Sequence, residues 1–319
     1  MKDKISIIVG GSGQFGVYLS QFLLKKRYRV IITSRDIQRT KKKLPFKNKN
    51  LILAKLDVLN KKQIKNLVYK YKPNVIFYFA SQSSPTLSFK NKKETFDSNY
   101  NGCKNFLEII YREKIDCKFL NATSSEIFSD TKKKITIKSK KNPISPYGKA
   151  KLLSFNITKY FREKKKLKAF NAIIFNTESV LRKRDYLIPK ICIAAIKAYE
   201  SGAKTAFGNI KVSREWNWCK EQVKYLNYFI EKDPQDFILS NGRAYTAQKM
   251  LYYAFKYFKL DFKKYVIYEK KFSRKKDFRL KRSNYSYFLK KNNISRKPKI
   301  YGKKIIHTLI KYYLNEKKN

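Results

Sequence analysis

The sequence predicts an α/β protein built on a doubly wound parallel sheet, with a smaller α/β domain in the C-terminal half. Three observations predict this. Short β-branched apolar runs alternate with longer helical patterns through the first half, as in βαβ units. The run from Val75 to Ala80 is almost continuously apolar, which indicates a strand buried on both faces. Glycines at positions 10, 13 and 16 directly follow the first apolar run, which is typical of a strand-to-helix turn.

The apolar periodicity then predicts each element in order. Strands are expected at residues 5–9, 29–34, 51–54, 74–80, 118–122, 169–175 and 236–240. Helices are expected at residues 14–26, 61–71, 94–112, 146–164, 186–200, 246–256 and 303–315, and Lys41 to Lys43 are interpreted as a solvated loop. The chain divides into a first domain, residues 1–175 plus about 207–241, and a second domain, about 176–206 plus 242–319.

Charge is the unusual feature of the composition. The 319 residues include 75 Lys and Arg against 23 Asp and Glu, which gives a net charge of +52. Such a field attracts polyanions, including phosphorylated substrates. Because no recognisable nucleic-acid-binding module accompanies the charge, we interpret it as a drift in composition and expect no nucleic-acid partner.

The rest of the composition excludes several classes of protein. An apolar fraction of 43% excludes a disordered chain. The four cysteines form no CxxC pair and His307 is the single histidine, so we expect neither a disulfide framework nor a metal site. No apolar run approaches the roughly 20 residues of a membrane helix, and the N-terminal apolar run is too short for a signal peptide. We therefore expect a cytoplasmic protein without a membrane partner.

The stretch IIVGGSGQFG at residues 7–16 fits a dinucleotide-binding loop. Gly10 permits the tight turn off the strand, Gly13 lets the backbone approach a pyrophosphate, and Gly16 allows the helix to pack closely on the strand. The N-terminus of the helix then offers N–H groups and a partial positive charge to the phosphates. The first domain is accordingly predicted to be a Rossmann-type cofactor domain, and the second to bind the substrate.

The end of the second predicted strand bears on the choice of dinucleotide. A carboxylate at this position accepts the ribose hydroxyl of NAD, whereas an arginine accommodates the 2′-phosphate of NADP. The sequence has both, since Arg35 and Asp36 are adjacent. Arg35 favours NADP, and NAD remains the alternative.

The pair Tyr147 and Lys151 is the strongest signal for a reaction. At a spacing of i and i+4 on a helix, the two side chains share one face. The ammonium group of Lys151 would lower the pKa of the phenol, so that Tyr147 can serve as a base near neutrality. A serine at the end of the preceding strand, in the run from Asn121 to Glu126, can bind the same substrate oxygen.

With these motifs the chain resembles the extended short-chain dehydrogenase/reductase family, and within it the GDP-mannose 4,6-dehydratases. The resemblance runs from Ile5 to about Ala247 and more thinly to the C-terminus. Beyond the glycine loop and the YxxxK pair, it is carried by the strings Ala80-Ser81-Gln82-Ser83 with Ser88-Phe89, Phe175-Asn176-Thr177-Glu178-Ser179, and Gly208-Asn209 with Arg214-Glu215-Trp216.

The resemblance implies roles for individual residues. It makes Glu126 the base that removes the C5 proton of a sugar, with Ser124 beside O4 and the pair Tyr147 and Lys151 acting at C4. It implies cofactor contacts from Gly10, Gly13, Gln14, Phe15, Gly16, Arg35, Asp57, Val58, Ala80, Ser81, Tyr147 and Lys151, with Asn99 on the helix below. It implies substrate contacts from Ser88, Asn176, Arg214 and Arg274, the arginines as clamps on the diphosphate.

We therefore predict an NADP-dependent dehydratase that acts on a GDP-sugar. It would convert GDP-mannose into GDP-4-keto-6-deoxymannose by oxidation at C4, loss of water across C5 and C6, and return of the hydride to C6. The alternatives are a 4-keto sugar-nucleotide reductase or 4-epimerase of the same fold, for which Glu126 would be incidental, and a non-catalytic cofactor-binding protein on nucleic acid.

Four departures from the family pattern accompany this prediction. Ser84 stands where a histidine is common, and Asn217-Trp218 replace Gly-His after the string Arg214-Glu215-Trp216. Phe15 replaces the acid that is usual at its position in the glycine loop. The region between Arg35 and Leu51 is shorter than in the dehydratases, where it helps to build a tetramer. Because the helices at 94–112 and 146–164 that pair subunits in this family are both predicted, we expect a homodimer and leave the tetramer open.

Overall fold

The computed structural model describes residues 4–317, apart from 130–132, 274–276, 278–279, 293 and 295–297. The chain divides into two compact units. The first comprises Met1–Ser129, Lys140–Ile174 and Gln222–Leu239, and the second comprises Asp130–Ser139, Phe175–Glu221 and Ser240–Asn319. Residues 207–221, which the sequence-based division assigned to the first domain, belong to the second unit.

Short strands and longer helices alternate along the chain. The strands are β1 (Ile5–Val9), β2 (Arg29–Ser34), β3 (Leu51–Lys55), β4 (Val75–Tyr78), β5 (Lys118–Ser124), β6 (Ala169–Ile174), β7 (Thr177–Glu178), β8 (Thr205–Phe207), β9 (Ser213–Arg214), β10 (Asn217–Trp218), β11 (Asp236–Leu239), β12 (Tyr245–Thr246) and β13 (Val266–Tyr268). The helices are α1 (Gln14–Lys25), α2 (Ile37–Lys43), α3 (Lys61–Tyr71), α4 (Lys92–Phe96), α5 (Gly102–Arg112), α6 (Pro146–Lys165), α7 (Leu187–Ser201), α8 (Cys219–Ile230), α9 (Ala247–Tyr257), α10 (Tyr285–Lys291) and α11 (Lys303–Glu316).

The first unit is built on a seven-stranded parallel sheet in the order β11, β6, β5, β4, β1, β2, β3. The chain starts in the middle of the sheet, winds to the β3 edge, and then returns to β4 on the other side of β1. This is the doubly wound order in which ligands bind outside the carboxyl ends of the strands, where the winding reverses between β1 and β4. The predicted fold class is confirmed.

Burial on both faces explains the composition of the central strands. Ile7, Ile8 and Val9 of β1 are fully buried, as are Ile76 and Phe77 of β4. β-branched and aromatic side chains suit such a pleated, buried surface. One face packs against α3, α5 and α6 through a core that includes Ile64, Phe106, Leu107 and Phe161.

One local prediction in this unit was wrong, and one predicted helix contains a turn that was not expected. Lys41 to Lys43, interpreted as a loop, form the last turn of α2, whose N-terminus is capped by Asp36 through a 2.8 Å hydrogen bond from the Arg39 N–H. The predicted helix at 94–112 is interrupted by a π-helical turn at Asp97–Asn101, between α4 and α5. A π-turn inserts one extra residue per turn and often marks a functional segment.

The second unit has a core of its own. α7, α9 and α11 enclose apolar side chains such as Ile191, Leu251, Phe255 and Ile306, all fully buried. Small two-stranded pairs, β7 with β10, β9 with β12 and β8 with β13, complete the unit. In the described part of the chain no helix is long and apolar enough to cross a membrane.

Candidate active site

The glycine loop between β1 and α1 is shaped by close contacts of its backbone. Gly10 has a φ of +77°, and a Cβ there would lie 2.6 Å from the Ala80 nitrogen. A Cβ on Gly16 would lie 2.3 Å from the Cα of Gly11. Packing of the loop against the segment after β4 and against the start of the helix therefore requires glycine at both positions.

Gly13 differs from Gly10 and Gly16 in its surroundings. It is exposed, and a Cβ there would have within 4 Å, among the described atoms, only the Gly10 carbonyl oxygen at 3.8 Å. Gly13 also caps α1 without a side-chain hydrogen bond, and the first turn of α1 contains no acidic residue. Packing of the described residues therefore does not require glycine at position 13.

Phe15 extends an aromatic stack. Its ring lies 5.6 Å from the ring of Phe79, which in turn lies 6.2 Å from the ring of Phe77 in β4. The phenyl group at the position of the family's usual acid is thus packed against the end of β4 rather than projecting alone from the loop.

Arg35 and Asp36, the two residues after β2, differ in what their side chains contact. Asp36 uses its carboxylate to cap α2. The Arg35 side chain is 72% exposed and its Nη2 lies 3.4 Å from Oε1 of Glu94. The arginine is therefore exposed and held by one long ion pair, whereas the aspartate is engaged as a helix cap.

The turns after β3 and β4 are ordered by local hydrogen bonds. Oδ1 of Asp57 accepts from the Leu59 N–H at 3.0 Å, and the Val58 carbonyl accepts from Nδ2 of Asn105 at 3.1 Å. After β4, the Ser81 hydroxyl donates to Oδ1 of Asn99 at 2.6 Å.

Asn99 is fully buried in the π-turn. Its Nδ2 donates to the carbonyl oxygens of Thr95 at 2.8 Å and Gln82 at 3.2 Å. The extra residue of the π-turn lets Asn99 hold the segment that follows β4, a role that helical spacing alone does not reveal.

Four predicted catalytic residues come together where β5 ends and α6 begins. Ser124 is the last residue of β5, Glu126 lies in the 3₁₀ turn that follows, and Tyr147 and Lys151 stand on the first two turns of α6. The Glu126 N–H donates to the Ser124 hydroxyl at 3.2 Å. All four residues are buried.

The start of α6 is fixed by signals that the sequence contains. Ser145 caps the helix by accepting from the Gly148 N–H at 3.0 Å, and Pro146 occupies the first helical position. A Cβ on Gly148 would lie 2.7 Å from the carbonyl oxygen of Glu126. Gly148 therefore lets the helix that carries Tyr147 approach the turn that carries Glu126, a role that our sequence analysis missed.

Lys151 is anchored by the main chain of β5. Its Nζ donates to the Ala122 carbonyl at 2.7 Å and lies 5.9 Å from the centre of the Tyr147 ring. Burial lowers the pKa of Lys151 to about 8. The ammonium group is thus held at a fixed place near Tyr147.

The residues predicted to contact the substrate differ from one another in burial and in hydrogen bonding. Ser88 is buried and donates its hydroxyl to the Pro85 carbonyl at 2.6 Å. Asn176 is half-buried, and its carbonyl oxygen accepts two hydrogen bonds from Asn217. Arg214 is buried, and its Nη2 lies 2.5 Å from Oδ1 of Asp277. Arg274 lies outside the described residues.

Glu178 is a buried acid to which the sequence analysis gave no role. Its Oε2 accepts no hydrogen bond from the described residues and lies 3.9 Å from Nε of Arg182. Burial raises the pKa of Glu178 to about 7, against the opposing effect of Arg182. The string Phe175 to Ser179 contained this residue, but only the fold reveals its burial.

Comparison with known sequences identifies the family. Residues 7–295 match the family model described as GDP-mannose 4,6 dehydratase. GDP-mannose 4,6 dehydratase 1 of Arabidopsis thaliana is 29% identical over 287 residues, which cover 85% of this chain and 79% of the plant protein. GDP-mannose 4,6-dehydratase of Vibrio cholerae serotype O1 is 27% identical over 267 residues, which cover 79% of this chain and 71% of the bacterial protein.

Solved structures with low sequence identity share the fold. dTDP-glucose 4,6-dehydratase from Bacillus anthracis, in complex with NAD, matches with a TM-score of 0.84 at 16% identity and covers 99% of this chain and 98% of its own. UDP-glucose 4-epimerase from Thermotoga maritima, with UDP-glucose, matches with a TM-score of 0.84 at 18% identity. The match covers 98% of this chain and 99% of the epimerase chain. Together with the match over residues 7–295, these likenesses lead to one conclusion: the chain belongs to the GDP-mannose 4,6 dehydratase family of enzymes.

Proposed function

We propose that this enzyme converts GDP-mannose into GDP-4-keto-6-deoxymannose. The observation that carries the proposal is the buried group Ser124, Glu126, Tyr147 and Lys151 in a chain of the dehydratase family. Oxidation at C4 and deprotonation at C5 act on different atoms, so the reaction needs two separate bases. The group offers both, Tyr147 on α6 and Glu126 on the turn packed against it.

Tyr147 serves as the base at C4. Its phenolate takes the proton of the C4 hydroxyl, and the nearby ammonium group of Lys151 stabilises the phenolate. Because the Ala122 carbonyl holds Nζ of Lys151, the ammonium group does not have to be oriented during the reaction. The Ser124 hydroxyl binds O4 beside the phenol.

Glu126 serves as the base at C5. The carbonyl formed at C4 acidifies the C5 proton, which Glu126 takes and passes to the departing C6 hydroxyl, so that water leaves. The proton that Tyr147 took from O4 balances the proton that C5 regains when the hydride returns to C6. The close approach of α6 at Gly148 to the Glu126 carbonyl brings the turn that carries Glu126 next to the helix that carries Tyr147. Both bases are therefore positioned by backbone packing rather than by flexible loops.

The residues of the glycine loop fit a nicotinamide dinucleotide. When bound, such a cofactor accepts the hydride from C4 and returns it to C6. Gly13 and the uncapped N-terminus of α1 would bind the pyrophosphate, and Ala80 and Ser81 would border the cleft. We propose NADP rather than NAD because Arg35 is exposed at the end of β2 whereas Asp36 is engaged as a helix cap.

Arg214 would bind the substrate diphosphate. Its guanidinium group is a planar fork that matches phosphate oxygens, and Asp277 fixes one of its nitrogens. Contacts from Ser88 and Asn176, and from Arg274 outside the described residues, remain predictions.

We also propose a cytoplasmic homodimer that pairs through α5 and α6. Tyr111 of α5 and Leu153 and Tyr160 of α6 are large side chains that are 40–46% exposed. Such residues are suited to a helix-to-helix contact with a second copy of the chain. The four cysteines are all free and buried, which suits a reducing compartment.

Incubation of the purified enzyme with NADP and GDP-mannose tests the proposal. The expected result is a 4-keto-6-deoxy product without net accumulation of NADPH. Stoichiometric NADPH would indicate a simple dehydrogenase, and recovery of a C4-inverted hexose would indicate an epimerase. Glu126→Gln is expected to abolish dehydration, and Glu163→Gln, at an exposed acid of α6, to leave it intact.

A further inference from the structure

Strand β9 and the residue that follows it contact the C-terminal part of the second unit at three consecutive residues. Ser213 forms a parallel bridge with Leu280, and its carbonyl accepts from the Lys281 N–H at 3.2 Å. Arg214 pairs with Asp277 at 2.5 Å. Glu215 accepts from the main-chain N–H and the hydroxyl group of Ser283. We call Asp277, Leu280, Lys281 and Ser283 the C-terminal clasp.

Glu215 is fully buried and both of its carboxylate oxygens are bonded. Besides Ser283, Oε2 accepts from the N–H groups of Gly242 at 2.9 Å and Asn241 at 3.2 Å. The hydroxyl groups of Ser240 and Ser283 are also 2.7 Å apart. One carboxylate therefore joins the turn after β11 to the clasp.

A buried carboxylate of this kind contributes little net free energy to folding. Burial raises the pKa of Glu215, and the hydrogen bonds from Ser283, Gly242 and Asn241 oppose that rise. Apolar residues of similar volume often stabilise a fold as well as a buried charged group does, so the value of such a group lies in the geometry that it specifies. The group whose position Glu215 specifies is the side chain of its neighbour in sequence, Arg214.

Glu215 directly follows the last residue of β9, Arg214. Fixing the Glu215 carboxylate therefore restrains the backbone that presents the Arg214 side chain. Two hydrogen bonds of the guanidinium group depend on the same region, because Nη1 donates to the Ser213 carbonyl at 2.8 Å and Nη2 donates to Asp277 in the clasp.

We infer that Glu215 is a positioning residue that holds Arg214 in place for the diphosphate of the substrate. The inference rests on the proposed function, in which Arg214 binds that diphosphate. Glu215 does not touch the substrate itself. It acts by keeping Ser213 and the clasp in register, so that the guanidinium group needs no rearrangement when the diphosphate binds.

Three variants test this role. Glu215→Gln replaces one acceptor oxygen with an NH₂ group that faces main-chain N–H donors. Glu215→Asp keeps the charge on a shorter side chain. Glu221→Gln is the matched control, because Glu221 also accepts two main-chain N–H groups in this unit, from Lys299 at 2.9 Å and Ile300 at 3.1 Å.

The first readout is binding, measured by calorimetry with GDP and, separately, with NADP. Glu215→Gln is expected to weaken GDP binding about tenfold, the scale of one hydrogen bond to a charged group, with NADP binding unchanged. Glu215→Asp should recover part of the loss, and the kinetic effect should fall more on KM for GDP-mannose than on kcat. The double variant with Arg214→Ala should bind GDP no more weakly than Arg214→Ala alone, whereas additive losses would overturn the inference.

The second readout needs no substrate. The guanidinium NMR signals of Arg214, assigned by comparison with Arg214→Lys, are expected to show restricted rotation in the wild type and in Glu221→Gln and faster rotation in Glu215→Gln. Unchanged rotation in Glu215→Gln would overturn the inference. Failure of the wild type to bind any GDP-sugar would overturn the proposed function instead, so the two failures are distinguishable.

Discussion

The ammonium group of Lys151 donates to the Ala122 carbonyl at 2.7 Å while lying 5.9 Å from the centre of the Tyr147 ring. Its anchor is therefore the main chain of β5. Lys151 is 3% exposed, and burial lowers its pKa to about 8. At neutral pH the folded enzyme therefore keeps a positive charge on the buried Lys151 side chain, although burial disfavours that charge. The proposed reaction needs this residue.

Replacement of Lys151 by methionine should change the pH dependence of stability. The folded pKa of about 8 lies below the ordinary value of 10.5, so between these values the unfolded chain binds more protons than the folded one. The free energy of unfolding of the wild type, relative to Lys151→Met, should therefore rise by about 2 kcal/mol from pH 7 to pH 9.5. Urea unfolding at the two pH values measures this.

Lys149→Met is the control for that experiment. Lys149 lies on the same helix but is exposed. Its replacement should leave a difference from the wild type that does not vary over this pH range. A pH-independent difference for Lys151→Met as well would show that burial does not perturb the lysine.

Replacement of two glycines of the loop by alanine should affect different properties, stability for Gly16 and cofactor binding for Gly13. A Cβ on Gly16 meets the Gly11 backbone, so Gly16→Ala should destabilise the enzyme by about 1–3 kcal/mol. A Cβ on Gly13 meets only an oxygen at 3.8 Å among the described atoms, so Gly13→Ala should leave the ligand-free Tm unchanged but weaken NADP binding at least about tenfold. Calorimetry with and without NADP separates the effects, and normal NADP binding by Gly13→Ala would contradict the proposed cofactor site.

Local patterns sufficed to predict the elements that carry the loop and the catalytic pair. β1 and β2 have the predicted bounds, and α1 ends one residue earlier than expected, because a β-branched run and a glycine triplet are local signals. α8 was missed although Cys219, Val223 and Leu226 recur at helical spacing, so its signal was present and overlooked.

Other features depend on contacts between distant parts of the chain. The π-turn holds Asn99 against Ser81 and Gln82, 18 and 17 residues away, and no spacing within the helix predicts it. The need for glycine at position 148 comes from the Glu126 carbonyl, which only the packing of α6 on the preceding turn brings close. Burial of Glu178 is likewise a property of the folded second unit.

Arg35→Ala tests the choice between NADP and NAD. Loss of the guanidinium group should raise KM for NADP at least about tenfold, the scale of a charge-assisted contact with phosphate, and leave KM for NAD unchanged. Glu94→Gln is the control, because it removes the same ion pair but keeps the arginine, and should bind NADP as well as the wild type does. Equal losses with both cofactors would show that Arg35 does not bind a 2′-phosphate.

Glu178→Gln should stabilise the enzyme at neutral pH but not in acid. The folded pKa of about 7 lies above the ordinary 4.5, so between these values the folded chain retains a proton that the unfolded chain has lost, and wild-type stability falls as the pH rises. Glu178→Gln lacks this titration, so its advantage over the wild type should grow by about 3 kcal/mol between pH 4.5 and 7.5. Urea unfolding across this range measures it, with Glu200→Gln, at an acid paired with Lys317, as the control. A constant difference for Glu178→Gln would mean that Arg182 keeps the carboxyl group ionised throughout.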